Sequence, residues 1–251
     1  MIVIKLGGHA MGDESSAFQE LASRWKAGER FVIIHGGGPM IDAELKRKDV
    51  VSTFVDGYRV TTPEIMEVVE MVLTGTVLRS VVRSLSKVGL PAVGITGSDG
   101  GLLSVHLKDG GKYGLVGEVA SVNPAIIHAL INSGYLPVIS PTANSADGQA
   151  INVNGDSAAG AIAGALKADQ MIFMTDVAGI YSNWPDENSI MDEVSVSQLR
   201  SMEFVGGMIP KVNAVMNAIT SGARSARVIN GNSSSAFADA LVGKGGTWVK
   251  P

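Results

Sequence analysis

The sequence predicts an α/β fold with a mostly parallel central sheet. Two observations carry this prediction: short continuous apolar runs alternate with segments of helical periodicity, and the first two apolar runs end directly in glycine clusters. Uninterrupted apolar runs are typical of strands that are buried on both faces, as the strands of parallel sheets are. With 251 residues, of which 45% are hydrophobic, the chain is long enough to bury a substantial core without disulfide bonds.

The first elements follow a strand–helix–strand–helix order. Residues 2–6 form an apolar run, and residues 18–25 carry apolar side chains at helical spacing. Residues 31–34 form a second apolar run, which leads through the glycines of residues 36–38 into a helix that begins at Met40. This order predicts two parallel strands whose carboxyl ends lie at the same edge of the sheet.

Residues 50–61 differ from this pattern. β-prone residues flank the Asp56-Gly57 dipeptide, which is a strong hairpin signal, and such an excursion from an α/β sheet often forms a lid. Thr62 then supplies an N-cap for a long helix over residues 63–87, which we expect to be interrupted near Gly75.

The remaining segments continue the alternation of strands and helices. Strands are predicted at residues 91–95, 136–140, 171–174, 226–230 and 247–249, a second hairpin at residues 102–119, and helices at residues 123–134, 158–165 and 212–219. The helix over residues 158–165 is rich in alanine and glycine, so we expect its backbone to pack closely on the sheet. No low-complexity linker separates two domains, so any two lobes must share one sheet.

Composition excludes several classes of function. The chain has no cysteine, which rules out disulfides, zinc–thiolate sites, iron–sulfur clusters and a cysteine nucleophile, and its four histidines do not form a zinc motif. A net charge of −4 without a dense basic run argues against nucleic-acid binding. Because no apolar stretch is long enough to span a membrane and no signal peptide is evident, we expect a soluble, cytoplasmic protein without a membrane partner.

Glycine makes up 31 of the 251 residues, against an average share of about 7%. The P-loop, the Rossmann fingerprint and the hydrolase nucleophile elbow are all absent. Instead, the pairs and triplets Gly7–Gly8 and Gly36–Gly38 follow two buried strands, where backbone N–H groups can approach an anion closely. Such clusters also form ordinary turns, but their place at two strand ends favours a phosphoryl site in the crevice there.

Five polar residues are candidates for this site. Lys5 lies between apolar neighbours in the first strand, where a lysine either meets an anion or extends to solvent. Lys211 lies at a predicted helix start, where the helix dipole opposes a cation. Two amides and a carboxylate, Asn152, Asn154 and Asp156, fall within five residues, and Asp156 either caps a helix or holds the two lysines.

Seven motifs that combine these features occur in a fixed order along most of the chain. They lie at residues 5–8, 35–39, 57–61, 67–73, 152–156, 175–180 and 206–212. Together they resemble the amino acid kinase family, and within it the acetylglutamate kinase branch. The resemblance implies a three-layer α/β/α sandwich with one continuous sheet, in which residues 1–170 bind the amino acid and dimerise and residues 171–251 bind ATP.

The resemblance also implies the reaction. It is the ATP-dependent phosphorylation of the γ-carboxylate of N-acetyl-L-glutamate to N-acetyl-L-glutamyl 5-phosphate, a step of arginine biosynthesis, with Mg²⁺ held mainly by the nucleotide phosphates and no metal ligand from the protein. Two alternatives remain: a sister kinase that acts on carrier-protein-linked aminoadipate or glutamate, and a non-catalytic nucleotide sensor on the same fold. Because the chain starts at the first strand, it resembles the shorter, homodimeric, arginine-insensitive members, with residues 63–87 as the candidate dimer helix.

Individual roles follow from the resemblance as well. Lys5 and Lys211 would offset charge on the transferred phosphoryl group. Asp156 would orient both lysines, and Gly8 would donate a backbone hydrogen bond. The substrate would be bound by Gly36, Gly37, Gly38, Arg59, Asn152 and Asn154, with Arg59 on the hairpin clamping the α-carboxylate. The nucleotide would be bound by Thr175, Asp176, Gly179, Tyr181, Phe204, Val205, Gly207 and Met208.

Overall fold

A computed structural model describes residues 1–7, 15–204, 208–233 and 235–251. Its strands are β1 (Ile2–Leu6), β2 (Phe31–His35), β3 (Phe54–Val55), β4 (Tyr58–Arg59), β5 (Ala92–Thr96), β6 (Leu103–Leu107), β7 (Val116–Val122), β8 (Leu136–Ser140), β9 (Thr142–Asn144), β10 (Ala150–Val153), β11 (Gln170–Thr175), β12 (Glu193–Ser195), β13 (Ala226–Asn230) and β14 (Thr247–Lys250). Its α-helices are α1 (Ser15–Lys26), α2 (Gly38–Arg47), α3 (Pro63–Glu70), α4 (Leu78–Lys87), α5 (Ala125–Asn132), α6 (Gly155–Ala165), α7 (Val196–Arg200), α8 (Met208–Thr220) and α9 (Ala236–Leu241).

The central sheet has eight strands in the order β12-β14-β13-β11-β1-β2-β8-β5. The six strands from β13 to β5 run parallel, whereas β14 pairs antiparallel with β13 and parallel with β12. A smaller sheet of order β6-β7-β10-β9 and the β3-β4 hairpin lie outside it. The predicted mostly parallel sheet is confirmed, and β1 and β2 lie side by side at its centre, as their order in the chain predicts.

Both faces of the central sheet are covered, which makes the fold a three-layer α/β/α sandwich. Successive residues of one strand enter opposite cores: Val3 packs in one apolar cluster and Ile4 in the other. In β2, Val32 packs in the first of these clusters and Ile33 in the second. Because side chains alternate across a strand, this division requires helices on each face and explains why the strands are continuously apolar.

The small residues of α6 face another helix rather than only the sheet. A Cβ built on Gly160 would lie 2.6 Å from the backbone oxygen of Ala214 in α8, and one on Gly164 would lie 2.4 Å from Cβ of Ser221. The expectation that these residues pack on the sheet is therefore incomplete, because the closest approach joins α6 to α8. This packing fixes α6 and α8 relative to each other, and each carries a predicted site residue near its start.

Two further predictions differ from the structure in detail. The long helix over residues 63–87 is continuous, and the interruption near Gly75 is a π-helical segment, Met71–Val77, between α3 and α4. The short elements β9, β10, β12, α7 and α9 were not predicted, since each is too brief for its periodicity to be recognised. Among the described helices, none combines the length and the apolar character that crossing a membrane requires.

Candidate active site

The carboxyl ends of the central strands border a cleft of about 290 Å³. The predicted site residues that line it are Lys5, Gly36, Gly37, Gly38, Arg59, Asn152, Asn154 and Asp156. They come from β1, the loop before α2, the β3-β4 hairpin, β10 and the start of α6, so elements that are distant in sequence meet at one edge of the sheet. This is the edge at which open parallel sheets bind ligands.

Asp156, a buried carboxylate in the lining of this cleft, lies between two lysines, of which Lys5 also lines the cleft and Lys211 does not. Oδ1 of Asp156 forms an ion pair with Nζ of Lys5 at 2.8 Å, and Oδ2 lies 3.6 Å from Nζ of Lys211. The side chains of Lys5 and Asp156 are each 9% exposed and that of Lys211 is 22% exposed. Burial alone would raise the pKa of Asp156, but the charges of Lys5 and Lys211 and their hydrogen bonds outweigh it, so the pKa is held below its usual value.

The start of α6 explains how Asp156 is free to make these contacts. The N-cap of the helix is Asn154, whose side-chain oxygen accepts hydrogen bonds from the backbone nitrogens of Asp156 and Ser157 at 2.9 and 3.1 Å. The sequence left open whether Asp156 caps the helix or holds the lysines, and the structure assigns the cap to Asn154. The carboxylate of Asp156 instead pairs with the two lysines.

Two ammonium groups against one carboxylate leave the group with a net positive charge. The helices α2 and α6 both begin at the cleft, so their amino-terminal dipole ends add positive potential there. An anion in the cleft therefore meets positive charge on several sides in a largely buried setting, where electrostatic interactions are strong.

A close backbone contact explains one of the glycines at this edge. A Cβ on Gly7 would lie 2.6 Å from the backbone oxygen of Met174, so only glycine lets the end of β1 approach β11 this closely. Gly155 differs, because a Cβ there would lie 3.5 Å from the backbone oxygen of His35 and 3.7 Å from Cε of Lys5, which are ordinary contacts. Gly8, which is assigned a catalytic role by the resemblance, lies outside the described residues.

The β3-β4 hairpin also lines the cleft. Its Arg59 is buried, and Nη1 donates hydrogen bonds to Oδ1 of Asp42 and Oγ of Ser52, both at 2.6 Å. Nη2 donates a longer bond of 3.4 Å to the backbone oxygen of Gly38, and the ring of Phe54 lies 4.6 Å from the guanidinium carbon. The guanidinium is thus held firmly next to the cleft that it lines.

The hairpin turn is attached to two other parts of the chain. Asp56 accepts hydrogen bonds from the hydroxyl of Tyr113 at 2.7 Å and from Nζ of Lys112 at 3.0 Å, and these bonds lower the pKa of Asp56. Gly57 has a φ of +80°, and a Cβ there would lie 3.2 Å from Cγ of Pro210 in the first turn of α8. Nothing in the sequence indicated these contacts, since they join residues that are far apart along the chain.

Asn152 connects β10 to the base of the same hairpin. Its Nδ2 donates to Oγ1 of Thr61 at 3.0 Å, and that hydroxyl donates to the backbone oxygen of Arg59 at 2.8 Å. Asn152 therefore lines the cleft and also supports the strand that carries Arg59.

The predicted nucleotide segment lies beside this cleft rather than in its lining. Thr175 ends β11, and its hydroxyl donates to Asp176 at 2.8 Å. Thr247 leaves no room for a side chain at position 179, since a Cβ on Gly179 would lie 2.4 Å from its Oγ1. The rings of Tyr181 and Trp184 pack edge to face, with their centroids 5.1 Å apart. Phe204 and Met208 are half-buried against the core, whereas Val205 and Gly207 lie outside the described residues.

His35 is fully buried at the end of β2, where the sequence suggests a scaffold role. Its Nδ1 bonds to the backbone oxygen of Gly36 at 2.7 Å, which requires the proton on Nδ1. Nε2 has no hydrogen-bond partner among the described residues. Burial first of all, together with the charge of Lys5, lowers the pKa of His35 to about 4, although the bond to Gly36 opposes the shift.

This pKa predicts a specific pH dependence of stability. His35 stays neutral in the folded state but takes up a proton on unfolding below pH 6.5. Its contribution to the free energy of unfolding is therefore complete above pH 6.5 and is lost as the pH falls to about 4. Over this range the free energy of unfolding falls by about 3 kcal/mol through His35. In urea unfolding between pH 4 and 7, we expect His35→Asn to flatten the fall in unfolding free energy. The exposed His128→Asn is the control and should keep the wild-type slope; equal slopes in all three proteins would contradict the prediction.

Comparison with known proteins identifies relatives over nearly the whole chain. The model of the amino acid kinase family matches residues 1–230. An acetylglutamate kinase of Prochlorococcus marinus (strain NATL1A) is 42% identical in an alignment of length 237 that covers 92% of this chain and 78% of the relative. An acetylglutamate kinase of Geobacillus sp. (strain WCH70) is 44% identical in an alignment of length 235 that covers 92% of this chain and 90% of the relative.

Solved structures agree with the fold. The structure of smu.665 from Streptococcus mutans UA159 superposes with a TM-score of 0.86 at 26% identity and covers 99% of this chain and 98% of that one. Carbamate kinase from Giardia lamblia bound to AMP-PNP shares the fold, with a TM-score of 0.75 at 23% identity over 99% of this chain and 97% of its own. With its fold, its ordered motifs and these relatives in agreement, the chain belongs to the amino acid kinase family.

Proposed function

We propose that this protein is an acetylglutamate kinase, which transfers the γ-phosphoryl group of ATP to the γ-carboxylate of N-acetyl-L-glutamate. The observation that carries the proposal is one cleft lined by two kinds of cation: Lys5, which shares Asp156 with Lys211, and Arg59 of the hairpin. A dicarboxylate has one group for each of them. Its γ-carboxylate would lie near the lysines and its α-carboxylate near the guanidinium.

The reaction needs little from the protein beyond position and charge. A γ-carboxylate is ionised at neutral pH, so the acceptor needs no general base. One of its oxygens attacks the γ-phosphorus of ATP while the bond from that phosphorus to the β,γ-bridging oxygen breaks, which yields the acyl phosphate and ADP. Lys5 and Lys211 would stabilise negative charge on the phosphoryl oxygens during transfer, and Asp156 would keep both ammonium groups in place.

The nucleotide is proposed to bind next to the phosphoryl end of the cleft. The described residues that line the cleft all lie between Lys5 and Asp156, which supports acceptor binding by residues 1–170 and ATP binding by residues 171–251. When Mg²⁺ is bound, it supplies further charge neutralisation on the phosphates. Since Asp156 is already paired with two ammonium groups, we expect phosphate oxygens to provide most of the Mg²⁺ ligands.

Two further properties belong to this proposal. We expect a homodimer with the continuous helix of residues 63–87 at its interface, which is supported by Met71, an apolar side chain that is 48% exposed there. We also expect the enzyme to act in the cytoplasm, where ATP and the intermediates of arginine biosynthesis are available.

The proposed reaction predicts ADP release that depends on a specific acceptor. With ATP and Mg²⁺, N-acetyl-L-glutamate should support turnover, and hydroxylamine should trap the acyl phosphate as a hydroxamate. N-acetyl-L-glutamine, which lacks the γ-carboxylate, is the control and should support none. Turnover with carrier-linked aminoadipate or glutamate but not with the free amino acid would favour the sister kinase, and nucleotide binding without any transfer would favour a sensor.

Lys211→Ala should reduce kcat by about 10²–10³-fold while both KM values change only a few-fold, because the lost ammonium group acts mainly in the transition state. Steady-state kinetics with each substrate varied in turn would measure this. Lys26→Ala removes an exposed lysine at the end of α1 and should leave kcat unchanged. A Lys211→Ala enzyme with wild-type kcat would show that this lysine takes no part in transfer.

Arg59→Ala should raise KM for N-acetyl-L-glutamate by about 10–100-fold with a much smaller change in KM for ATP, since the lost bonds are charge-assisted contacts to the α-carboxylate. Arg59→Lys keeps the charge but loses the paired N–H donors of the guanidinium, so its KM for N-acetyl-L-glutamate should lie between those of the wild type and Arg59→Ala. Arg200→Ala, an exposed arginine in α7, serves as the control. An unchanged acceptor KM in a folded Arg59→Ala enzyme would refute the assigned role.

A further inference from the structure

One edge of the Arg59 guanidinium is already occupied by the protein. Both hydrogens of Nη1 have acceptors, Oδ1 of Asp42 and Oγ of Ser52, each at 2.6 Å. The remaining donors are on Nε and Nη2, and among the described residues their hydrogen bond is the 3.4 Å contact from Nη2 to the backbone oxygen of Gly38. Arg59 lines the cleft, so the Nε–Nη2 edge is the part that these two acceptors leave to a ligand.

Asp42 also lies at a boundary between two cavities. It lines the cleft, and it lines a second cavity of about 380 Å³ formed by the carboxyl-terminal half of α2 and residues 49–52. Ser52, which shares Nη1 with Asp42, lines the second cavity as well. The bridge from Asp42 through Arg59 to Ser52 therefore lies where the cleft and the second cavity adjoin.

The bridge has two physical consequences. A guanidinium that is fixed at Nη1 presents its other two donors in a defined plane, which favours bidentate binding of a carboxylate. Asp42 lines both cavities and Ser52 lines the second, so an acceptor that continues from its α-carboxyl group toward the second cavity would meet these two side chains.

Asp42 is negatively charged, so it also repels an acceptor carboxylate, and this repulsion weakens the binding that its bond to Arg59 favours. Its side chain is 53% exposed, whereas that of Arg59 is 6% exposed. Water therefore screens the repulsion at Asp42 more than it weakens a direct 2.6 Å charge-assisted hydrogen bond. The hold on the guanidinium is the larger effect.

We infer that Asp42 is a positioning residue that sets acceptor specificity: it holds Arg59 so that the free edge binds one α-carboxylate, and with Ser52 it closes the cleft against acceptors extended beyond that group. This inference rests on the proposed function, because it assigns the α-carboxylate of the acceptor to Arg59. It adds a residue and a reason for the exclusion of α-substituted acceptors.

The test compares Asp42→Asn and Asp42→Ala with the wild type on N-acetyl-L-glutamate and on its α-(N-methylamide), which keeps the γ-carboxylate. KM for N-acetyl-L-glutamate should rise at least about threefold in Asp42→Asn and about tenfold or more in Asp42→Ala, while kcat and KM for ATP stay within about twofold. The preference for the free acid over the methylamide, as a ratio of kcat/KM, should fall about tenfold in Asp42→Ala.

Asp49→Asn is the matched control, since Asp49 lines the second cavity but is not among the hydrogen-bond partners of Arg59 in the described part of the chain. It loses the same charge, and asparagine tolerates the φ of +57° at this position. An acceptor KM that falls or stays within twofold in both Asp42 variants, or that rises equally in Asp49→Asn, would overturn the inference. Thermal unfolding of each variant would verify that it is folded.

Calorimetric binding of both acceptors without ATP separates this inference from the proposed function. Wild-type protein that binds N-acetyl-L-glutamate but releases no ADP would refute the kinase activity alone, and the ratio of dissociation constants would still test Asp42. Turnover by the wild type with unchanged acceptor affinities in the Asp42 variants would refute the inference alone. A wild type that neither binds nor phosphorylates N-acetyl-L-glutamate would refute both.

Discussion

The ion pairs of Asp156 are the contact on which the rest of the site depends. This carboxylate joins Lys5 of β1 to Lys211 of α8 from the first turn of α6. Three charges in a nearly buried position are favourable only with accurate geometry, because each pays a desolvation penalty. The tight glycine-mediated packing of α6 on α8 supplies that geometry, since Gly160 brings the two helix backbones together. A packing feature of the core thus fixes the distances of the charged group.

The high glycine content has more than one cause in this fold. Gly7 and Gly160 are required where two backbones nearly touch, at the end of β1 and between α6 and α8. Gly57 is required by the left-handed turn of the hairpin. The glycines of residues 36–38 line the cleft, and so do Gly57 and Gly155. Close packing and anion binding therefore draw on the same residue type for the same physical reason, the absence of a Cβ.

The sequence allowed the elements to be predicted more fully than the contacts between their side chains. Buried strands such as Phe31–His35 and the Asp56-Gly57 hairpin follow from local patterns. The pair of Asp42 with Arg59 spans 17 residues, and the bond of Tyr113 to Asp56 spans 57, so neither has a local signal. The placement of Lys5 and Lys211 around one carboxylate was implied by ordered motifs rather than by periodicity, and the catalytic roles of these residues stay predictions.

The charged groups at the cleft and the hairpin turn are held in different ways. The backbone of α8 lies in close contact with α6, and Asp156 pairs with Lys211, so α8 has little freedom to move. The hairpin turn rests on the ring of Pro210 and on exposed hydrogen bonds of Asp56, which water can replace at small free-energy cost. The guanidinium of Arg59 is fixed by its own bonds to Asp42 and Ser52. Adjustment to an acceptor is therefore easier in the hairpin turn than in the charged groups, so adaptability and accurate placement belong to separate elements.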